Sequence, residues 1–283
     1  MIRCSVNNDR EGIISLWHES FGDNRKEIEF FLDNKYIPEN TVVCVENGKI
    51  ISQLFLLGGE MHVNGEDYPS YYLYAACTSK ECRGKGIMGK MLEFARNLAC
   101  DRGIYFICLM PAEESLYDYY SKFGYKTAFK RKVIKLTVDE LKKFDLSKDN
   151  YTDFSLKTPE KSRDNAFFDF DYFKWDKQSI EFAFAFSEIY GGNTIQNCKG
   201  YLLYAINDDC LSIKENTFTA EILAETLIKI CDEIKLTNVE INLPVNFDFY
   251  KITGQQNANG MLLNVNNKVI TVNDFGYLGL TLD

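Results

Sequence analysis

The amino-acid sequence predicts a mixed α/β (α+β) fold, with a mostly antiparallel central sheet flanked by helices and then a second, degenerate version of the same arrangement. Three observations predict it. Asn47-Gly48 and Asn64-Gly65 each separate apolar, strand-like stretches, the pattern of tight antiparallel hairpins. A glycine-bearing turn, Arg83-Gly84-Lys85-Gly86, joins one strand-like run to an amphipathic helical one. The second half then repeats the order strand, strand, helix, strand, with 25 residues from Thr219 to Pro244 against 24 from Ile87 to Pro111.

The elements follow in order. Ile2 to Val6 alternates as a strand, and Asn8 or Asp9 can cap a helix whose apolar positions are Ile13, Ile14, Leu16, Trp17 and Phe21. A second helical segment runs from about Lys26 to Leu32. Strands are expected at 41–45 and 50–57, then at 61–63 and 71–77 around the second Asn-Gly pair. A helix from Ile87 to about Cys100 follows the glycine turn. Ile104 to Met110, bounded by Gly103 and Pro111, reads as a buried strand. Leu116, Tyr119, Tyr120 and Phe123 recur at helical spacing, with Gly124 suited to a left-handed helix end. A strand at 132–136 is expected to close this first sheet. The division predicted is 1–136 for the first domain, 137–195 for a connector with helical segments near 141–144 and 177–190, and 196–283 for the second domain.

At 283 residues and 46% hydrophobic, the chain can bury one large core or two modest ones. No charged n-region precedes an apolar run, and no apolar stretch approaches about 18 residues, so neither a leader nor a membrane span is expected. Nine cysteines, an odd number without a Cys-x-x-Cys pair, point to a reducing compartment, the cytoplasm. The two histidines, His18 and His62, lie outside any ligand spacing, so no metal is expected. A net charge of −9 with scattered lysines and arginines argues against nucleic acid as a partner.

The glycine turn carries the most chemistry. Gly84 and Gly86 let the backbone approach a ligand and converge its N–H groups, and the helix from Ile87 aims the positive end of its dipole at the same point. A diphosphate suits that point, with Arg83 and Lys85 on either side. Taken alone, such a turn also serves a nucleotide or an ordinary strand-to-helix connection. The P-loop is excluded, since no Gly-Lys-Ser/Thr ends the turn, and the dinucleotide fingerprint lacks its third glycine.

The turn resembles the Arg/Gln-x-x-Gly-x-Gly/Ala pyrophosphate motif of the GCN5-related N-acetyltransferases (the GNAT superfamily), here Arg83-x-x-Gly86-x-Met88, with Met88 departing from the small last residue. A bulky residue there is similar to the enhanced-intracellular-survival type of acetyltransferase. Some thirty residues on, Tyr119-Tyr120-x-x-x-Gly124-Tyr125 resembles the superfamily's Phe-Tyr-x-x-x-Gly-Phe helix, whose tyrosine sits beside the cofactor sulfur. The resemblance implies acetyl-CoA as co-substrate. It implies contacts from Ala76, Cys77, Thr78, Arg83, Gly84, Lys85, Gly86, Ile87, Met88 and Gly89, and Tyr120 as the acid that protonates the departing thiolate. It further implies that the strands ending near Cys77 and starting near Ile104 splay apart to admit the pantetheine arm, and that the acceptor is a primary amine of a small molecule or peptide. An acyl-CoA-binding sensor and a tandem transferase of larger acyl or aminoacyl groups are the alternatives.

Glu113, Glu114, Glu19 and His18 are candidate bases with no spacing to choose among them. Cys77 is a candidate nucleophile, though a strand cysteine more commonly points into a core. In the second half, Phe249-Tyr250-x-x-x-Gly254 copies the spacing around Tyr120, but Lys214 to Phe218 holds no glycine and brings Glu215 to the place of the phosphate turn. That half is therefore expected to be a pseudo-domain. The longer survival-type enzymes end in a carboxylate that reaches the first site; this chain is too short for their third domain, and Asp283 is not assigned that role.

Overall fold

The computed structural model describes residues 1–144, 146, 158–266, 272 and 276–282. It contains two compact units, one made of Met1–Met61, Glu66–Thr127 and Gly260–Thr271, the other of His62–Gly65, Ala128–Asn259 and Val272–Asp283.

In chain order the first unit begins with β1 (Ile2–Cys4), α1 (Arg10–Phe21), α2 (Arg25–Lys35), β2 (Thr41–Glu46), β3 (Lys49–Val63) and β4 (Glu66–Thr78). It continues with α3 (Ile87–Asp101), β5 (Phe106–Leu109), α4 (Glu114–Ser121) and β6 (Lys126–Thr127). The second unit holds β7 (Lys130–Thr137), α5 (Val138–Leu141), α6 (Pro159–Phe167), β8 (Tyr172–Lys174), α7 (Lys177–Ile189), β9 (Gly192–Asn197), β10 (Gly200–Asn207) and β11 (Cys210–Asn216). It ends with α8 (Ala220–Ile234), β12 (Asn238–Pro244) and β13 (Gln255–Ala258), after which β14 (Met261–Asn264) returns to the first unit.

The first sheet runs β1-β2-β3-β4-β5-β14-β6, antiparallel at β1–β2, β2–β3, β5–β14 and β14–β6 and parallel at β4–β5. Both Asn-Gly pairs adopt positive φ, as their hairpins require. The strands expected at 50–57 and 61–63 are one continuous strand, because Gly58 and Gly59 are carried through it without a turn. On one face α3 lays Met91, Leu92, Ala95 and Ala99 against Leu54, Leu56, Leu73 and Leu109, the i, i+4, i+8 stripe that makes a surface helix bury one side. On the other face, rings of Trp17, Phe31, Phe55 and Tyr74 pack with centroids 4.9–5.9 Å apart.

One position in this sheet sets up the site. β4 and β5 pair only through Ser70↔Phe106, Tyr71↔Ile107 and Tyr72↔Cys108, although β4 runs on to Thr78. Within that unpaired stretch Ala75 takes φ +47°, a left-handed conformation that bends a strand away from its neighbour. The strands therefore part, as the resemblance implied.

The second sheet runs β13-β7-β12-β11-β10-β9. Its core gathers Ile134, Leu202, Leu211, Leu223, Leu227 and Ile241. Here β11 and β12 are also parallel, in register from Cys210↔Asn238 to Ile213↔Ile241. The order hairpin, helix, parallel strand is thus common to both units.

Two expectations are corrected. The strand at 132–136 does not close the first sheet: β7 lies between β12 and β13 in the second, and β14 takes the corresponding place between β5 and β6 in the first. The first unit consequently ends at Thr127 and recovers 260–271, rather than running unbroken to 136. Alternating burial marks 130–137 as a strand but is silent about which neighbours it pairs with. Phe249–Gly254, which copies the spacing around Tyr120, forms no helix like α4; Tyr250 and Lys251 take φ +49° and +58°, a turn instead.

Candidate active site

β4 delivers the chain to a short helical turn at Lys80–Cys82, closed by Cys82 N–H donating to Ser79 O at 2.9 Å. Arg83 Nε reaches back to Thr78 O at 3.0 Å, and Lys80 N–H donates to Glu19 Oε1 at 2.9 Å, so the loop is tied at both flanks. Gly84 and Gly86 then take φ +76° and +72°. Nothing lies within 4 Å of a Cβ built on either, so the need for glycine there is conformational rather than a matter of space.

Gly86 is the N-cap of α3 and no side chain caps this end. The first intrahelical bond is Lys90 N–H to Gly86 O at 3.3 Å, which leaves the amides of Ile87, Met88 and Gly89 directed out of the helix end. Arg83, Gly84, Lys85 and Gly86 are exposed around them. The side chains of Ile87 and Met88 turn inward and pack on the core. The bulk of Met88 is thereby accommodated below the turn, and its backbone is left on the open side.

Gly89 has a different reason. A Cβ there would stand 2.9 Å from both Cε1 and Cζ of Phe123, so the bare helix surface lets the Phe123 ring approach α3. Between α3 and the end of α4 lies a cleft of about 650 Å³, lined by Gly86, Gly89, Lys90, Tyr119, Lys122 and Tyr125 among others. Of the residues expected to hold the cofactor, Gly86 and Gly89 line this cleft; Ala76, Cys77 and Thr78 lie instead on the parted stretch of β4.

On that stretch, Ser79 N–H donates to Ile51 O of β3 at 2.9 Å. Amides alternate sides along a strand, so the Thr78 N–H points away from β3, toward the gap. Ser52 Oγ donates to Cys77 O at 2.8 Å and sits 2.9 Å from Thr78 Oγ1, fixing the strand end from below. Sequence reasoning did not single out Ser52, since a serine within an apolar strand carries no motif. The Cys77 thiol is buried, and burial pushes it up to about 12, which disfavours the thiolate a nucleophile needs.

Tyr120 is 8% exposed and belongs to the core cluster, its ring edge-on to Tyr119 at 5.5 Å and to Tyr125 at 5.7 Å. Burial, assisted by Tyr119, pushes its hydroxyl up to about 12. The hydroxyl therefore stays protonated at physiological pH. Among the candidate bases, Glu19 accepts the Lys80 amide, His18 Nδ1 lies 2.7 Å from Asp23 O, and Glu113 accepts from Ser115 Oγ at 3.5 Å. These three have local structural partners, and Glu114 opens α4.

The first unit has a counterpart among known families. The acetyltransferase (GNAT) domain family matches residues 2–128, spanning the turn, α3 and the Tyr120 helix. Residues 2–128 are a GNAT acetyltransferase domain. The match stops at residue 128, a little short of half of the chain. Its fold is similar to a GCN5-related N-acetyltransferase from Anabaena variabilis (TM-score 0.71, 15% identity, 94% of this chain and 73% of that one). It is also similar to Eis1 from Mycobacterium abscessus (TM-score 0.69, 12% identity, 94% and 74%) and to a GCN5-related N-acetyltransferase from Kribbella flavida (TM-score 0.65, 15% identity, 94% and 72%). No curated protein matches the chain in sequence. Coverage of 94% carries the likeness of fold through the second unit as well.

In the second unit the segment before the corresponding helix is built differently. Thr219 caps α8 with its own side chain, accepting from Ile222 N–H at 3.5 Å. Asn216 accepts from Phe218 N–H at 3.1 Å and donates to Phe218 O at 3.0 Å. Glu215 is fully buried and accepts from Arg163 Nε at 3.0 Å, from Leu280 N–H at 2.7 Å and from the Tyr201 hydroxyl. Among the described residues no cluster of His, Cys, Asp and Glu suits a metal, and no helix is long and apolar enough to cross a membrane.

Proposed function

We propose that the protein is an N-acetyltransferase that moves the acetyl group of acetyl-CoA to a primary amine of a small molecule or peptide, by direct attack in a ternary complex. The observation that carries this reading is the uncapped start of α3 behind two left-handed glycines, directly after the stretch of β4 that β5 leaves unpaired. The amides of Ile87, Met88 and Gly89 take the diphosphate, with Arg83 and Lys85 supplying positive charge beside it. The pantetheine arm runs into the gap along Ala76–Thr78. Thr78 N–H, pointing away from β3, polarises the thioester carbonyl as the amine adds to its carbon. The C–S bond then breaks, and Tyr120 Oη gives its proton to the sulfur. The surplus proton of the amine passes to solvent, and Tyr120 recovers its own from there.

Cys77 takes no covalent part in this reading, because its raised thiol is a poor nucleophile. All nine cysteines are free, which fits the reducing cytoplasm. The second unit serves as a pseudo-domain, its phosphate turn closed by Thr219 and occupied below by Glu215.

Release of CoA thiol, followed against a panel of amines, aminoglycosides and peptides, tests the reading. Amine-dependent release is expected. Binding of acetyl-CoA without release for any acceptor would instead favour a sensor, and release with bulky acyl donors alone would favour the tandem transferase.

A further inference from the structure

Tyr125 stands where a phenylalanine would fill the same space. It is 2% exposed, and its hydroxyl is buried without a hydrogen-bond partner in the protein. A buried hydroxyl left unpaired is unfavourable, so its retention points to a partner that the protein alone does not supply. The chain around it is held firmly. Gly124 takes φ +89°, Phe123 N–H donates to Tyr120 O at 2.9 Å, and Tyr125 N–H donates to the same oxygen at 3.4 Å. This closed turn fixes the Tyr125 ring edge-on to Tyr120, 5.7 Å between centroids, and makes it part of the cleft wall. What acts on the Tyr120 hydroxyl is its burial and the neighbouring Tyr119.

Building on the assignment of Tyr120 as the acid, we propose that Tyr125 is its positioning residue: the Tyr125 hydroxyl, through one bridging water, donates to Tyr120 Oη and holds it toward the thioester sulfur. When the C–S bond breaks, the Tyr120 O–H bond breaks and the S–H bond forms. The Tyr125 O–H bond stays intact and stabilises the phenolate oxygen until solvent reprotonates it. Burial raises the Tyr120 hydroxyl to about 12, above an ordinary thiol, so a phenolate in this apolar setting needs such a donor.

Tyr125→Phe, Tyr120→Phe and the double variant, each assayed for kcat, acetyl-CoA Kd and Tm, test the proposal. Tyr125→Phe is expected to lower kcat about ten-fold, the effect of one charge-assisted hydrogen bond. Its Kd and Tm stay close to wild type, since a phenylalanine fills the same space and only the hydroxyl and its water bridge are lost. The double variant is expected to be no slower than Tyr120→Phe alone. Wild-type kcat in Tyr125→Phe beside a slowed Tyr120→Phe overturns the inference and leaves the acid in place, as does full additivity of the two. A raised Kd with unchanged kcat also overturns it, by assigning the hydroxyl to the ligand. Wild-type kcat in Tyr120→Phe overturns the acid assignment itself.

Discussion

The starts of α3 and α8 occupy matching places in two units of like order, each helix preceded by a hairpin and followed by a strand parallel to the hairpin's second strand. One end is open and the other is closed. At α3, glycines with φ +76° and +72° turn the chain and no side chain caps the helix. At α8, Thr219 caps the helix and the buried carboxylate of Glu215 is held by Arg163, Tyr201 and the Leu280 amide. What differs between the two is whether the first amides of the helix are satisfied from within.

The sharpest way to break this comparison is through the charge pair that belongs to one unit alone. Glu215→Ala leaves the Arg163 guanidinium, 1% exposed, without its carboxylate. Loss of about 3–5 kcal/mol is expected from an uncompensated buried charge, read as a lower urea midpoint. A midpoint unmoved from wild type would mean that the pair is not what holds this turn.

The next contrast lies between Tyr120 and the residue that copies its spacing, Tyr250. Tyr120→Phe is expected to lower kcat about 10²-fold with little change in acetyl-CoA affinity. Tyr250 sits on a turn, stacked 4.4 Å from Phe144, and Tyr250→Phe is expected to leave kcat at the wild-type value. Equal effects of the two would erase the distinction between the units.

Smaller effects sharpen the comparison at the helix ends themselves. Gly86→Ala forces an L side chain into φ +72°, with an expected loss of about 1–2 kcal/mol, seen as roughly ten-fold weaker acetyl-CoA binding. Thr219→Ala removes the cap of α8 and should lower stability by about 1 kcal/mol while leaving acetyl-CoA affinity untouched. The smallest is a pH effect. The folded-state Tyr120 hydroxyl is raised to about 12 against an ordinary value near 10, so the folded protein holds that proton longer than the unfolded chain. Its contribution to stability is therefore full below about pH 10 and is lost as pH rises toward 12. Unfolding measured across that window should fall less steeply in Tyr120→Phe.

Much of this was legible from residues alone. Asn-Gly pairs, the glycines at 84 and 86, and the Tyr120-to-Gly124 spacing each act through local backbone chemistry, and the hairpins, the α3 turn and the α4 helix appear where those residues stand. Strand pairing was not legible. β7 and β14 exchange places between the two sheets, and nothing in an alternating strand names its neighbour. At Gly89 the motif suggested contact with a ligand, and the structure adds a second reason for glycine that the motif does not carry, the close approach of Phe123. Ser52 and Tyr125 escaped notice for a related reason, since their importance depends on partners far away in the chain or absent from it.

The central claim is that one helix end of the two holds an acyl carrier. Titration calorimetry of the wild-type chain with acetyl-CoA tests it directly, with Gly86→Ala as the companion. One equivalent per chain, weakened about ten-fold by Gly86→Ala, is the result expected. Two equivalents, no uptake, or one equivalent indifferent to Gly86→Ala would contradict the account.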